Sequence, residues 1–322
     1  MYNALTDIPG LKVGHWTNLE AGTGCTVILC PEGAVAGVDV RGGAPGTREL
    51  ALLDPVCMVE KVHAILLSGG SAFGLAAADG VMRWLEEQGY GFNVGVAKVP
   101  IVPAAILFDL PLGRADIRPD AAAGYAACQA AMDGPMREGN IGAGAGATVG
   151  KLLGFNQATK GGLGTASKQL GRGIVIAALA VVNAAGDVID PPTQKIIAGA
   201  RKPLVGGFAD SMKLAESLLG QTRPNLAGLS NTTLAVVATN VALTKTGATK
   251  VAQMAHDGLA RTIRPVHTMI DGDLVFALSL GQQQADAGLL GAMAAEVLSE
   301  AVVRAVWAAE QLHGIPAAKD LQ

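Results

Sequence analysis

The 43 glycines of this chain fall in short bursts at the ends of apolar runs: Arg41-Gly42-Gly43, Ser68-Gly69-Gly70-Ser71, residues 139–150 and residues 160–164. A residue without a Cβ suits tight turns and close backbone approach, so each burst marks the end of an element. The runs between bursts are short, apolar and partly β-branched, which predicts buried strands over 64–67, 174–182, 234–238 and 274–280. Three helices are expected. One runs over 71–88 from a serine cap at Ser71, with Phe73, Ala77, Val81 and Leu85 at four-residue spacing. The others are an alanine-rich helix over 121–132 and a weakly polar one over 291–312. Strands apolar on both faces need helices above and below, so the class is α/β, a sandwich of helices around sheet.

Composition narrows the function. Half of the 322 residues are apolar, 4% are aromatic and 16% are charged, against a usual charged share of about 25%. Disorder is excluded, and a thinly charged surface is one that other subunits can cover. The net charge of −3, from 24 basic and 27 acidic residues, includes no long block of one sign. Neither a nucleic-acid groove nor a membrane-binding patch is indicated, so the expected partner is a small peptide or amide. The length suits about two domains of ~150 residues or one large α/β unit. The opening residues MYNALTDIPGLKVGH carry no basic start and no apolar stretch of signal type, so the expected location is the cytoplasm.

Several motif readings fail. Cys25, Cys30, Cys57 and Cys128 lack paired spacing and read as buried, reduced thiols. His15, His63, His256, His267 and His313 show no ligand spacing, so no metal is expected, and no cofactor either. The GAGAGATVGK stretch is not a phosphate loop, because Ala145 stands where its first glycine belongs and Leu152 follows Lys151. No GxSxG elbow occurs.

Residues 191–231 change character: Pro191-Pro192, Gly206-Gly207 and QTRPN at 221–225 surround one amphipathic helix near 209–219, a linker by composition. It ends at Ser230-Asn231-Thr232-Thr233, against the strand LAVVAT. These residues would serve as a plain polar turn. A chain cut at Asn231-Thr232 would instead expose a threonine whose hydroxyl is a nucleophile and whose α-amine, with a free pKa of about 7.7 to 8, is a base at neutral pH. Downstream, Asp271 and Asp273 stand two apart before an apolar strand, so in extended backbone they share a face and can reach each other and one partner. An Asp-Gly hairpin turn would read the same way.

Taken together, LTDIPGLKVGH, GTGCTVIL, VDVRGGAPGTRE, SGGSAFGLAAADGV, GNIGAGAGATVGK, KGGLGTAS, VVNAAGDV, NTTLAVVATN and HTMIDGDLVFAL resemble, in order and spacing, the DmpA-type aminopeptidases. That family comprises the L-aminopeptidase/D-esterases, the β-peptidyl aminopeptidases and the nylon-oligomer hydrolase NylC. The resemblance implies an αββα sandwich of the DmpA/ornithine acetyltransferase type and one catalytic domain over 1–322. It implies a precursor that cuts itself into 1–231 and 232–322, and a homotetramer or larger homo-oligomer.

The NTT segment resembles the threonine branch, which maps cleavage to Asn231-Thr232 and the nucleophile to Thr232. The paired partners of the family fall on Asp271 and Asp273, its lysine on Lys151 and its strand-end asparagine on Asn183. A charge on Lys151 would keep the Thr232 amine neutral, and the Asn183 amide could donate to an oxyanion. Where the family has a substrate-side tyrosine this chain has Phe108, which lacks the hydroxyl. The implied activity is hydrolysis of short peptides or amide oligomers, including β-peptides or 6-aminohexanoate oligomers, through an acyl-enzyme. An acyltransferase of the ornithine acetyltransferase type and an uncleaved scaffold are the alternatives.

Overall fold

A computed structural model describes residues 1–203, 206–219 and 231–321. Nine strands form the principal sheet: β1 (Lys12–Asn18), β2 (Thr23–Val40), β3 (Thr47–Arg48), β4 (Lys61–Ser68), β5 (Ala104–Ile106), β6 (Gly162–Gln169), β7 (Val175–Asn183), β8 (Thr232–Val241) and β9 (Leu274–Gln283). Their order is β6-β7-β8-β9-β2-β4-β5-β3, with β1 also on β2. Five helices accompany them: α1 (Ala77–Glu87), α2 (Ala121–Gln129), α3 (Ser211–Leu218), α4 (Lys245–Thr262) and α5 (Ala287–Ala308).

The long strand β2 turns one sheet into two layers. Its N-terminal part pairs with β1 and β4, its C-terminal part with β9, and the β4 ladder slips between Leu29 and Ala34. Alternating side chains then fill three cores. On one outer face Cys25, Val27, Leu29, Ala64 and Leu66 pack on α1 and α2. Between the layers lie Ile28, Ile65, Leu67, Leu179, Val181, Leu234, Val236, Leu274 and Phe276. On the other outer face Ala178, Ala180, Ala235, Val237, Val275 and Ala277 meet α4 and α5. The result is the expected αββα sandwich. Phe276 is fully buried in the middle layer, where truncation to Ala costs about 3–5 kcal/mol.

The four expected strands are present with longer bounds. The expected helices shift. The α2 helix starts at the Asp120 carboxylate, which accepts the Ala123 N–H at 2.9 Å, and α5 at Asp286, which accepts that of Leu289 at 2.9 Å. Ser71 is not a cap. It has φ 55°, residues Ser71–Ala76 form a 3-10 turn, and the α-helix begins only at Ala77. The tighter turn takes Phe73 out of phase with Ala77, Val81 and Leu85, so its ring is exposed, under the Arg118 guanidinium at 4.0 Å. The α4 helix has no counterpart in the sequence reading, because its polar residues hide the apolar stripe. Gly258 lets α4 and α5 touch, since a Cβ there would lie 2.4 Å from the Ala295 carbonyl oxygen.

Three of the four cysteines are buried and Cys57 is half-buried; all four are free thiols. Part of the 191–231 segment packs on the body: strand Ile196–Ala198 pairs with Asp187–Ile189, and Ser211 donates to the Asp187 carboxylate. Residues 220–230 lie outside the described residues. Among the described residues no helix is long and apolar enough to cross a membrane.

Candidate active site

Strand β8 runs parallel to β9, with Leu234 opposite Leu274. Upstream, that register sets Asn231 beside Asp271 in a parallel bridge: the Asn231 N–H donates to Ile270 O at 2.9 Å, and the Gly272 N–H donates to Asn231 O at 2.8 Å. On its other side β8 is antiparallel to β7, which puts Thr232 opposite Asn183. Three distant segments therefore converge on the Asn231–Thr232 peptide. In the continuous chain it is enclosed, Asn231 being 0% and Thr232 2% exposed.

The Thr232 hydroxyl donates to the Asn231 carbonyl oxygen, so Thr232 and Gly272 both polarise that carbonyl. Such donors stabilise negative charge developing on oxygen. Gly272 was not singled out by the sequence, although it stands between the two acids. It has to be glycine: a Cβ would lie 2.8 Å from Thr232 Oγ1 and 2.7 Å from Ala44 O. The side-chain oxygen of Asn231 is buried with no donor among the described residues.

The two acids take separate partners rather than one in common. Asp271 accepts from Ala185 N at 3.2 Å, from Thr268 N at 3.2 Å and from the Thr268 hydroxyl. Asp273 accepts from Thr233 N at 2.6 Å and, on its other oxygen, from His267 N at 3.0 Å, with His267 Nδ1 at 2.9 Å. Burial first, and then the neighbouring Asp273 charge, push the Asp271 carboxyl up to about 6.

Lys151 is 4% exposed and donates to Asn183 O at 3.0 Å and Asn183 Oδ1 at 2.8 Å. Burial pushes its ammonium down to about 7; the Asp271 charge opposes this and that of Lys160 adds to it. Asn183 Oδ1 also accepts from Thr148 N at 3.0 Å, and its Nδ2 donates to Phe108 O at 3.0 Å. An amide nitrogen has two hydrogens, so one is left for an oxyanion. Phe108 thus meets Asn183 through its backbone carbonyl, a contact that does not depend on the missing hydroxyl. Beyond it lies a second buried pair that sequence reasoning missed. Burial moves Asp109 up to about 6 and Lys160 down to about 7.

The chain matches Peptidase family S58 over residues 3–319. It belongs to that family. An uncharacterized aminopeptidase of Mycobacterium tuberculosis is 46% identical over 348 residues, covering 99% of this chain and 98% of the relative. A 6-aminohexanoate-oligomer endohydrolase of Kocuria sp. is 32% identical over 312 residues, 93% of this chain and 84% of the relative. Among solved structures, the L-aminopeptidase D-Ala-esterase/amidase of Ochrobactrum anthropi, described as a variant of the Ntn hydrolase fold, superposes with a TM-score of 0.73 at 21% identity. That match covers 97% of this chain and 87% of the other. A Burkholderia sp. β-aminopeptidase gives a TM-score of 0.69 at 23% identity, over 98% and 89%. This member of family S58 has the N-terminal-nucleophile hydrolase fold and is an amide-bond hydrolase.

Proposed function

We propose that this S58 peptidase cuts itself between Asn231 and Thr232 and then uses Thr232 as the nucleophile of an amidohydrolase acting on short peptides or amide oligomers. The observation that carries the reading is the contact of the Thr232 hydroxyl with the carbonyl of its own peptide bond, which the Gly272 N–H polarises at 2.8 Å. The enclosure of that bond supports an intramolecular cut, because an external protease would have no access to it.

In the first stage Thr232 Oγ bonds to the Asn231 carbonyl carbon and the C–N bond breaks. The hydroxyl proton leaves through a basic group and one returns to the departing nitrogen. The product is an ester on Thr232 and a free α-amine, and water opens the ester to an Asn231 carboxylate. In turnover the α-amine takes the Oγ proton, the substrate acyl group moves to Oγ, and the leaving amine departs with a proton. Water, activated by the same α-amine, then releases the acid. Asp271 and Asp273 hold the backbone around Thr232, Asn183 and Gly272 offer N–H donors to the oxyanion, and Lys151 orients Asn183 and biases the amine toward its neutral form.

The mature protein is then 1–231 plus 232–322 in one catalytic domain. The names of the aminopeptidase and 6-aminohexanoate-oligomer relatives support short α-peptides or ω-amino-acid oligomers as substrates. Association into a homotetramer or larger assembly, which the family resemblance implies, belongs to the same reading.

Terminal sequencing and intact mass spectrometry test the assignment. Wild-type protein yields a fragment beginning at Thr232, while Thr232→Ala stays a full-length, inactive chain. A mature terminus elsewhere, or an active Thr232→Ala protein, overturns it.

A further inference from the structure

Behind Asp273 runs a chain of two histidines, half-buried His267 and fully buried His256, that the steps above do not use. His256, on α4, is 0% exposed; its Nε2 lies 3.0 Å from the backbone oxygen of Asp39, on β2. Its Nδ1 lies 3.2 Å from His267 Nε2, the rings meeting edge to face at 4.7 Å. His267 Nδ1 then meets Asp273 Oδ2 at 2.9 Å, and Asp273 Oδ1 accepts the Thr233 N–H at 2.6 Å.

The proton positions along this chain follow from its fixed end. A peptide carbonyl only accepts, so His256 Nε2 carries hydrogen. Burial holds His256 neutral, its ring pushed down to about 4, so its Nδ1 is an acceptor. His267 Nε2 must therefore be the donor between the rings. His267 Nδ1 and Asp273 Oδ2, 2.9 Å apart, then share one hydrogen.

We infer that His267 is a positioning residue of the candidate site: it holds the Asp273 carboxylate against the backbone amide next to Thr232, with its own tautomer set by buried His256. This rests on the reading of Thr232 as nucleophile. Because His267 acts through Asp273, the α-amine remains the base. The backbone fits such a role, since His267 is held at φ 58°, a left-handed conformation fixed by its own N–H on Asp273. The charged and titratable groups facing the pair are Asp271 on the same turn, Asp39 and Arg41 of the β2 end, His256 on α4, and Lys151, which faces Asp271.

Glycine and asparagine both tolerate that conformation, which makes them the informative replacements. His267→Gly removes the side-chain partner of Asp273 and keeps the backbone N–H on it; His267→Asn restores a polar group near the Nδ1 position. Relative to wild type, the processed Gly variant is expected to lose about 10²-fold in kcat with KM little changed. The Asn variant is expected to recover most of that loss. A Gly variant with wild-type kcat overturns the proposal, as does an Asn variant that rescues nothing.

If neither variant folds, nitrogen-15 NMR of the wild-type histidine rings decides: His256 protonated on Nε2 alone and His267 protonated on Nε2 are expected, and a His267 ring without hydrogen on Nε2 overturns it. The mature terminus, read separately, stays at Thr232 whichever way these results fall. A different terminus would instead overturn the nucleophile assignment.

Discussion

The backbone N–H of Gly272 is held on the carbonyl oxygen of Asn231 at 2.8 Å, across a parallel bridge that joins residues forty positions apart in the chain. Gly272→Ala would push a methyl group to 2.8 Å from Thr232 Oγ1 and 2.7 Å from Ala44 O, so the turn must move away from that carbonyl. Self-cleavage is expected to slow by about 10²-fold, the usual effect of losing one such donor. A time course of freshly translated protein on a denaturing gel checks this; cleavage at the wild-type rate would show that Gly272 supplies no essential donor.

Asp271→Asn and Asp273→Asn nearly preserve volume, yet each turns one acceptor oxygen into an NH₂ group facing a donor N–H. Losses are expected in turnover or self-cleavage. The geometry adds a stability cost of about 1–3 kcal/mol for a buried donor left without its acceptor. Each variant should lose about 10²-fold or more in turnover and unfold at a lower temperature. Calorimetry alongside peptidase assays separates the two effects, and wild-type activity in both variants would reduce the pair to a turn.

Lys151→Met keeps much of the stem and removes the charge. A positive neighbour lowers the pKa of the Thr232 amine, so the rising limb of activity should move to higher pH in this variant, with the cleavage site unchanged. The same substitution has a signed effect on stability. The folded ammonium is pushed down to about 7 from an ordinary 10.5, so between those values the unfolded chain binds more protons and stability rises with pH. This contribution is complete above 10.5 and is lost as the pH falls toward 7. Denaturant titrations at pH 7 and pH 9 should show a smaller gain in Lys151→Met than in wild type; an equal gain would mean that Lys151 does not titrate in this window.

Val56, Met58, Val96, Met269 and Leu289 are each more than two-thirds exposed on the single chain. If these residues form contiguous patches larger than a few hundred Å², subunit contacts are the usual cover, and closed symmetric assembly the usual form. Light scattering at micromolar concentration should return several times the 32.5 kDa mass of one chain. A value equal to one chain would exclude stable association.

Periodicity and local chemistry carried much of this protein at the level of sequence. Apolar runs between glycine bursts located four strands, three of which (β7, β8 and β9) flank the site, because alternation and β-branching are properties of neighbouring residues. The linker-to-strand junction pointed to Thr232, and the paired acids ahead of β9 pointed to Asp271 and Asp273. Lys151 and Asn183 came only through family resemblance, since a lysine after glycines or an asparagine at a strand end has many other uses. The 3-10 turn at Ser71 and helix α4 escaped, one because a left-handed serine is locally unfavourable, the other because its apolar stripe is diluted by polar residues. Tertiary structure alone decided that β8 and β9 lie parallel, which sets Gly272 on the Asn231 carbonyl, and that α4 delivers His256 behind His267. Registers between strands and contacts across forty residues are set by packing and by the satisfaction of buried polar groups, and no local window of sequence contains either.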